Sequence, residues 1–318
     1  MSELLRLKYT PHFIYRFTRD IFAGHHIAFK ETDYPSQQGK TWIVSGSTAG
    51  IGLLVAEQLA KLGATVWLVG RSEQKIRDTM ARIKGTTPNA KLEYLLMDYA
   101  DLTSIKPGID KFLASGSPLH GIIHNAGVMN TPSSYKTKQG WEMQFGVNCL
   151  ATWLVQKLLD PVLIKSCTNT EGRIVWVSSV ALYNAAYTGE AIAKDPSRRT
   201  FHMDAYYISK AINYMQSIQW TRLHPNANVK SVSAHPGLIN TQLYDHMSRF
   251  EFMFVRLVLW EPKYGVIPEM AAALKDIPNH SFMVPWGKRG NPRSDLTRAA
   301  YKSLDLANWL DSAVSEYS

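Results

Sequence analysis

"SGSTAGIG" occupies residues 45–52. It follows a short apolar run, Thr41 to Val44, and leads at once into a segment with helical periodicity. Glycines permit a tight turn and let the backbone approach a ligand closely. The helix that follows offers unpaired N–H groups and the positive end of its dipole. The spacing is Gly-x-x-x-Gly-x-Gly rather than Gly-x-Gly-x-x-Gly. A glycine-rich turn alone is a weak signal. Between the first strand of a chain and a helix, it reads as the cradle of a dinucleotide pyrophosphate, formed here by Gly46, Ser47, Thr48, Gly50, Ile51 and Gly52.

Outward from this turn, β-branched apolar runs alternate with helix-length segments. Strands are predicted at 41–45, 64–70, 91–97, 119–124, 173–178, 229–234 and 281–285. Helices are predicted at 51–62, 72–84, 142–165 and 205–223. Continuous apolar strands separated by helices indicate a parallel sheet covered on both faces. The expected fold is therefore α/β: a Rossmann-type, doubly wound, seven-stranded, mainly parallel sheet. No repeat or linker divides the chain. Residues 1–38 read as an N-terminal extension, and 39–318 as a single dinucleotide-binding catalytic domain. Substrate-lid insertions are expected near 184–204 and 242–262, beside the sheet edge where such folds bind ligands.

The chain has 318 residues and a formal net charge of +9. The basic residues are scattered, apart from a small cluster at Lys288, Arg289 and Arg293, and no nucleic-acid motif accompanies them. A solvated basic surface is the simpler reading. No continuous apolar run approaches the ~20 residues of a membrane span, and the N-terminus has no secretory pattern. The two cysteines, Cys149 and Cys167, match neither a metal motif nor a disulfide framework, which suits a reducing, cytoplasmic compartment. His25 and His26 have no partner cluster and read as surface residues.

Two further positions carry chemistry. The second strand ends at Gly70-Arg71, where a cofactor with a free ribose 2′-hydroxyl would meet an acid. Gly70 leaves room, and Arg71 can pair with a 2′-phosphate, so NADP(H) is expected over NAD(H). The alternative is a solvated loop arginine. "DAYYISKA", residues 204–211, sets Tyr206 four residues before Lys210, on one helix face. Alone, that pair is ordinary helix packing.

The ordered motifs together resemble the short-chain dehydrogenase/reductase family over about residues 40–285. "SGSTAGIG" is similar to the family's cofactor turn, with Ser45 in place of threonine. "HNAG" resembles its Asn-Asn-Ala-Gly strand end, with His124 leading Asn125, Ala126 and Gly127. "VNCLA" supplies Asn148, "VSSVA" supplies Ser179, and "YYISK" supplies Tyr206 and Lys210. "HPGLINT" resembles the Pro-Gly segment, with Pro236, Gly237 and Thr241. The stretch 128–155 is most similar to the retinol-dehydrogenase-like and WW-domain-oxidoreductase-like branch, without a WW domain.

The resemblance implies that Asn148, Ser179, Tyr206 and Lys210 are catalytic and that Asp98 contacts adenine. A tyrosine with a pKa of ~10 is a poor base, and a neighbouring ammonium lowers it. Tyr206 would be the acid/base, Lys210 would tune it and hold the ribose, and Ser179 would bind the substrate oxygen. Asn148 would bend its helix and hold a relay water. Tyr207 reads as packing, and His235 as structural.

The apolar stretch 249–260, with Phe250, Phe252, Met253 and Phe254, follows "HPGLINT" and suggests a lipophilic carbonyl or alcohol as substrate. That stretch and an amphipathic face of Phe13, Ile14, Phe17 and Ile21 leave open a peripheral contact with an intracellular membrane. Docking of the N-terminal face onto the domain and a homodimeric state also stay open. The competing reading is a non-catalytic NADP-binding regulator on the same fold.

Overall fold

The computed structural model describes residues 26–197, 202–241 and 259–318, together with 11, 14, 15, 18 and 256. The strands are β1 (Thr41–Ser45), β2 (Thr65–Gly70), β3 (Lys91–Leu96), β4 (Gly121–His124), β5 (Gly172–Val177), β6 (Val229–Ala234), β7 (Phe282–Val284) and β8 (Lys288–Gly290). They form one sheet in the order β3-β2-β1-β4-β5-β6-β7-β8. Pairing is parallel throughout except between β7 and β8. The strand order reverses between β1 and β4, which opens a crevice at their carboxyl ends. The sheet has eight strands rather than seven. The added edge strand reads Lys-Arg-Gly, too short and polar to declare itself, and pairs only with β7.

Two cores follow from strand alternation. Val44, Val66, Leu68, Val175, Val177, Val232 and Ala234 face one side. There they pack on α1 (Gly50–Lys61), α2 (Glu73–Thr86) and α7 (Pro262–Leu274). Ile43, Trp67, Ile174 and Trp176 face the other. They meet α3 (Ile105–Ala114), the long helix α4 (Met143–Ser166) and α6 (His202–Leu223), with α8 (Ser294–Lys302) and α9 (Asp305–Val314) outside. By length and composition α4 could cross a membrane, which no search for an unbroken apolar run reveals. Leu150, Leu154, Val155, Leu159 and Leu163 are fully buried in the domain, so α4 is its core helix.

Of the two expected lid segments, residues 184–197 include α5 (Gly189–Lys194), whose Ile192 and Ala193 join the core beneath α8. The stretch 242–262 lies largely outside the described residues, including Phe250, Phe252, Met253 and Phe254. Its end is described: the Trp260 backbone N–H donates to the Leu238 carbonyl at 2.8 Å, and the Trp260 ring packs edge-on against Trp286. In the N-terminal extension, Phe29 and Tyr34 are buried against the domain, and the Ala28 N–H bonds to Trp286. Ile14 is exposed, and Phe13, Phe17, Ile21 and His25 lie outside the described residues. Arg293 departs from the expected surface cluster: it is buried and paired with Asp295 at 2.8 Å. Lys288 and Arg289 are exposed.

Candidate active site

The turn after β1 is shaped by what glycine allows. Gly46 has φ +65°, and a Cβ there would stand 2.9 Å from Ala126 Cα. A Cβ on Gly52 would lie 2.3 Å from Asn125 Nδ2 and 2.5 Å from the Gly46 carbonyl. Asn125 uses that close approach: its amide donates to the carbonyls of Ser45 (3.0 Å) and Gly46 (3.3 Å), tying the end of β4 to the turn. Ser45 accepts the Ala126 N–H at 3.0 Å. Ser47 is engaged within the protein, exchanging bonds with Val69 of β2 through its hydroxyl. No side chain caps the start of α1, so the N–H groups of its first turn stay directed at the crevice.

Gly70 differs from expectation in detail. The room it leaves is filled by the protein itself, because a Cβ there would meet Thr48 Cγ2 at 2.9 Å and Ile76 Cγ1 at 3.1 Å. Arg71 beside it is exposed at the carboxyl end of β2. Asp98 follows β3 and accepts the Ala100 N–H at 2.9 Å. Thr241 lies across from the turn, its methyl 3.5 Å from where a Cβ on Gly50 would stand. Gly237 has φ +102°, and its N–H bonds to His235 Nδ1 at 3.2 Å. His235 is buried and stacks on Phe282, a structural role.

The polar centre lies where α4 and α6 cross the ends of β4 and β5. Asn148 sits in a π-helical turn, Gly146–Ala151, within α4. Its side chain clamps Val128, accepting the N–H at 2.8 Å and donating to the carbonyl at 3.0 Å, and also donates to Ser209 Oγ at 3.0 Å. The extra residue in the turn releases the Asn148 carbonyl, which accepts from Asn213 Nδ2 at 2.7 Å. Lys210 is buried, and its ammonium donates to the Val177 carbonyl at 2.8 Å and to Asn213 Oδ1 at 3.4 Å. Burial pushes Lys210 down to about 8, opposed by Cys149 and Glu269. Lys210 Nζ stands 5.8 Å from the centre of the Tyr206 ring. A Cβ on Gly127 would stand 3.5 Å from Lys210 Nζ, an ordinary contact, and 3.2 Å from Asn148 Oδ1, the tighter neighbour.

Ser179 caps the turn after β5, its Oγ accepting the Ala181 N–H at 3.2 Å. Tyr206 packs with Met129 and Ala181 in a small apolar cluster apart from the two main cores, and Tyr207 packs against it. Helix α6 thus carries Tyr206, Ser209, Lys210 and Asn213 on one stripe. Sequence reasoning missed Ser209 and Asn213. A signal was there: polar residues three and four apart, interleaved with the buried apolar Ile208, Ala211, Ile212, Met215 and Ile218.

His124 faces away from the crevice. It stacks on Trp176 at 4.6 Å and bonds Gln156 at 2.9 Å. Burial pushes it down to about 4, so it is neutral near pH 7. A cavity between α4, α6 and α9 is lined by Trp153, Asp160, Trp220 and Asp311. Its polar atoms are mutually satisfied: Trp220 donates to Asp160 at 2.7 Å and Trp153 to Asp311 at 3.0 Å. This is a structural polar seam, remote from Tyr206. Neither cysteine forms a disulfide, and no metal-binding cluster occurs among the described residues.

Comparison with known proteins shows the family and the fold. A profile of the short chain dehydrogenase family matches residues 40–251. A short-chain dehydrogenase/reductase of Phomopsis amygdali is 33% identical over 291 residues, covering 86% of each chain. Polyprenol dehydrogenase of Homo sapiens is 33% identical over 244 residues, covering 73% of this chain and 70% of the human one. A crystal structure of a protein from Mycobacterium paratuberculosis superposes with a TM-score of 0.66 at 26% identity, covering 89% of this chain and 97% of that one.

Proposed function

The chain belongs to the short-chain dehydrogenase/reductase family, an oxidoreductase family that uses NAD(P), and we propose that it interconverts a carbonyl and an alcohol on a lipophilic molecule with NADP(H). The observation that carries this reading is the buried Lys210 ammonium, fixed on the Val177 carbonyl beside the Tyr206 ring. A lysine is rarely sealed in a core without a task.

The residues present fit a nicotinamide dinucleotide. Gly46 and Gly50, both at positive φ, keep the turn bare, and the uncapped start of α1 suits a pyrophosphate. Arg71, exposed at the end of β2, would pair with a 2′-phosphate, and Asp98 would meet the adenine ring. Asn125 buttresses the turn, while Ala126, Gly127, Pro236, Gly237 and Thr241 would border the nicotinamide half. When bound, the cofactor supplies or accepts the hydride.

The chain's own groups handle the proton. Tyr206 gives its phenol proton to the nascent alkoxide oxygen during reduction and takes it back during oxidation. The Lys210 ammonium stabilises the phenolate between these events. With Lys210 near 8, the ammonium form prevails at neutral pH. Ser179 orients the substrate oxygen. Asn148 fixes the Val128 backbone and, through its carbonyl, the Asn213 amide that faces Lys210.

Met129, Ala181 and Tyr207 offer an apolar wall beside the phenol. The name of the human relative, polyprenol dehydrogenase, supports a long apolar alcohol or its carbonyl. The test pairs nucleotide titration with a homologous aldehyde series. NADPH is expected to bind more tightly than NADH, and kcat/KM to rise with apolar chain length. Preference for NADH, or for small polar carbonyls, would overturn the reading.

A further inference from the structure

The chain that leaves β4 runs on past the sheet, yet it is held at regular intervals. Residues 125–130 form neither helix nor strand. Every second N–H there is taken by a side chain from another part of the domain. Ala126 donates to Ser45 Oγ at 3.0 Å, Val128 to Asn148 Oδ1 at 2.8 Å and Asn130 to Gln144 Oε1 at 2.9 Å. The first tether serves the glycine turn. The other two come from one helix, because Gln144 and Asn148 stand about one turn apart on α4.

Met129 stands between the two residues tethered to α4. It joins Ala181 and Tyr206 in the small apolar cluster apart from the main cores. Asn130 is held at φ +54°, in the left-handed region that residues with a Cβ enter at a cost. Asparagine bears that cost better than most, and the bond to Gln144 holds it there. The buried amide of Gln144 has one orientation. Its Nε2 donates to Glu142 Oε1 at 3.2 Å, and an ionised carboxylate accepts but cannot donate, so Oε1 is left for the Asn130 N–H. Glu142 is fixed in turn by the start of α4, accepting the N–H groups of Gln144 at 3.0 Å and Phe145 at 2.8 Å.

We propose that Gln144 is a positioning residue for substrate selection: with Asn148 it pins the backbone on both sides of Met129, and so sets where that side chain stands beside Tyr206. This rests on the proposed role of Tyr206 in reducing a lipophilic carbonyl. A methionine side chain is unbranched and adaptable, so a fixed backbone is what makes it a wall of defined depth. An apolar chain on the carbonyl carbon packs on that wall. Without the Gln144 tether, Asn130 relaxes out of the left-handed region and Met129 moves with it. The side-chain bonds of Gln144 go to Asn130 and Glu142, not to Tyr206, Lys210 or Ser179, so it selects the substrate and leaves the proton transfer to them.

The experiment measures kcat/KM for NADPH-dependent reduction of decanal and of butanal. It compares wild type with Gln144→Leu, Gln144→Asn, Met129→Ala and the double variant Gln144→Leu with Met129→Ala. Leucine removes the acceptor, and asparagine withdraws it by one methylene, so the second decides if the first does not fold. The decanal-to-butanal ratio should fall about tenfold in each single variant, the order expected when one apolar contact is lost. The double variant should fall no further than Met129→Ala alone, because Gln144 acts through Met129. A second readout needs no turnover: the Met129 methyl signal in the NMR spectrum of protein labelled at its methionine methyl groups, identified by its loss in Met129→Ala. In both Gln144 variants it should move towards the position of free methionine. An unchanged ratio in a folded Gln144 variant, additive losses in the double variant, or an unmoved Met129 signal overturns the proposal. If wild type does not favour decanal over butanal, the substrate reading of the site fails, and the methyl signal still decides whether Gln144 holds Met129.

Discussion

Asn148→Ala probes the centre of the site most severely. Asn148 is buried and makes three side-chain hydrogen bonds, to the Val128 N–H, the Val128 carbonyl and Ser209 Oγ, at 2.8, 3.0 and 3.0 Å. At about 1 kcal/mol net for each bond, their loss costs about 3 kcal/mol, and stranding the two backbone groups of Val128 adds about 1–2 kcal/mol. The expected destabilisation of about 4–5 kcal/mol is a large part of a domain's total. Urea unfolding, with the slope checked for constancy, measures it. Asn148→Asp keeps the acceptor for the Val128 N–H but loses both donated bonds and should fall between the two. A loss below about 1 kcal/mol for the alanine variant would refute the claim that this side chain fixes the Val128 segment.

Other outcomes follow from the same geometry. Arg71→Ala should weaken NADPH roughly ten- to hundredfold while sparing NADH, as expected for one charge-assisted contact; equal losses in nucleotide titrations would remove Arg71 from the phosphate site. Gly52→Ala forces a Cβ to within 2.5 Å of the Gly46 carbonyl. It should cost about 1–3 kcal/mol and impair nucleotide binding, so an unchanged unfolding midpoint and dissociation constant would contradict the tight-turn reading. His124, lowered from 6.5 to about 4 by burial, contributes stability that is present above pH 6.5 and is lost as pH falls towards 4. Melting curves of His124→Asn should lack that acid-side decline; a decline equal to wild type would mean that His124 does not titrate there.

The parts legible in the sequence are those with a local code. The glycine turn, the β-branched strands and the Tyr206–Lys210 spacing each declare themselves within a few residues, and β1 and β6 appear at their predicted limits. What escaped reading depends on tertiary neighbours. Lys288–Gly290 carries no strand signature and is a strand because β7 offers an edge. Arg293 reads as a surface charge but is buried by Asp295 and by the carbonyls of Ala185 and Tyr187. Gly70 reads as space for a ligand, yet Thr48 and Ile76 fill that space. Glu269, between Pro268 and Met270, carries no local mark of burial, and only the packing of α7 on the sheet shows it to be sealed. Ser209 and Asn213 needed the π-helical turn of α4 to become partners of Asn148.

The central claim is that Tyr206, tuned by Lys210, moves the proton. The most direct measurement is kcat/KM for NADPH-dependent reduction of decanal by Tyr206→Phe, with Tyr207→Phe as the adjacent control. NADPH affinity and the unfolding midpoint are read alongside. The account predicts a loss of roughly 10²–10⁴-fold for Tyr206→Phe, the range for removing a general acid/base, with folding and nucleotide binding retained and most activity kept by Tyr207→Phe. Full activity in Tyr206→Phe, or a larger loss in Tyr207→Phe, would contradict it.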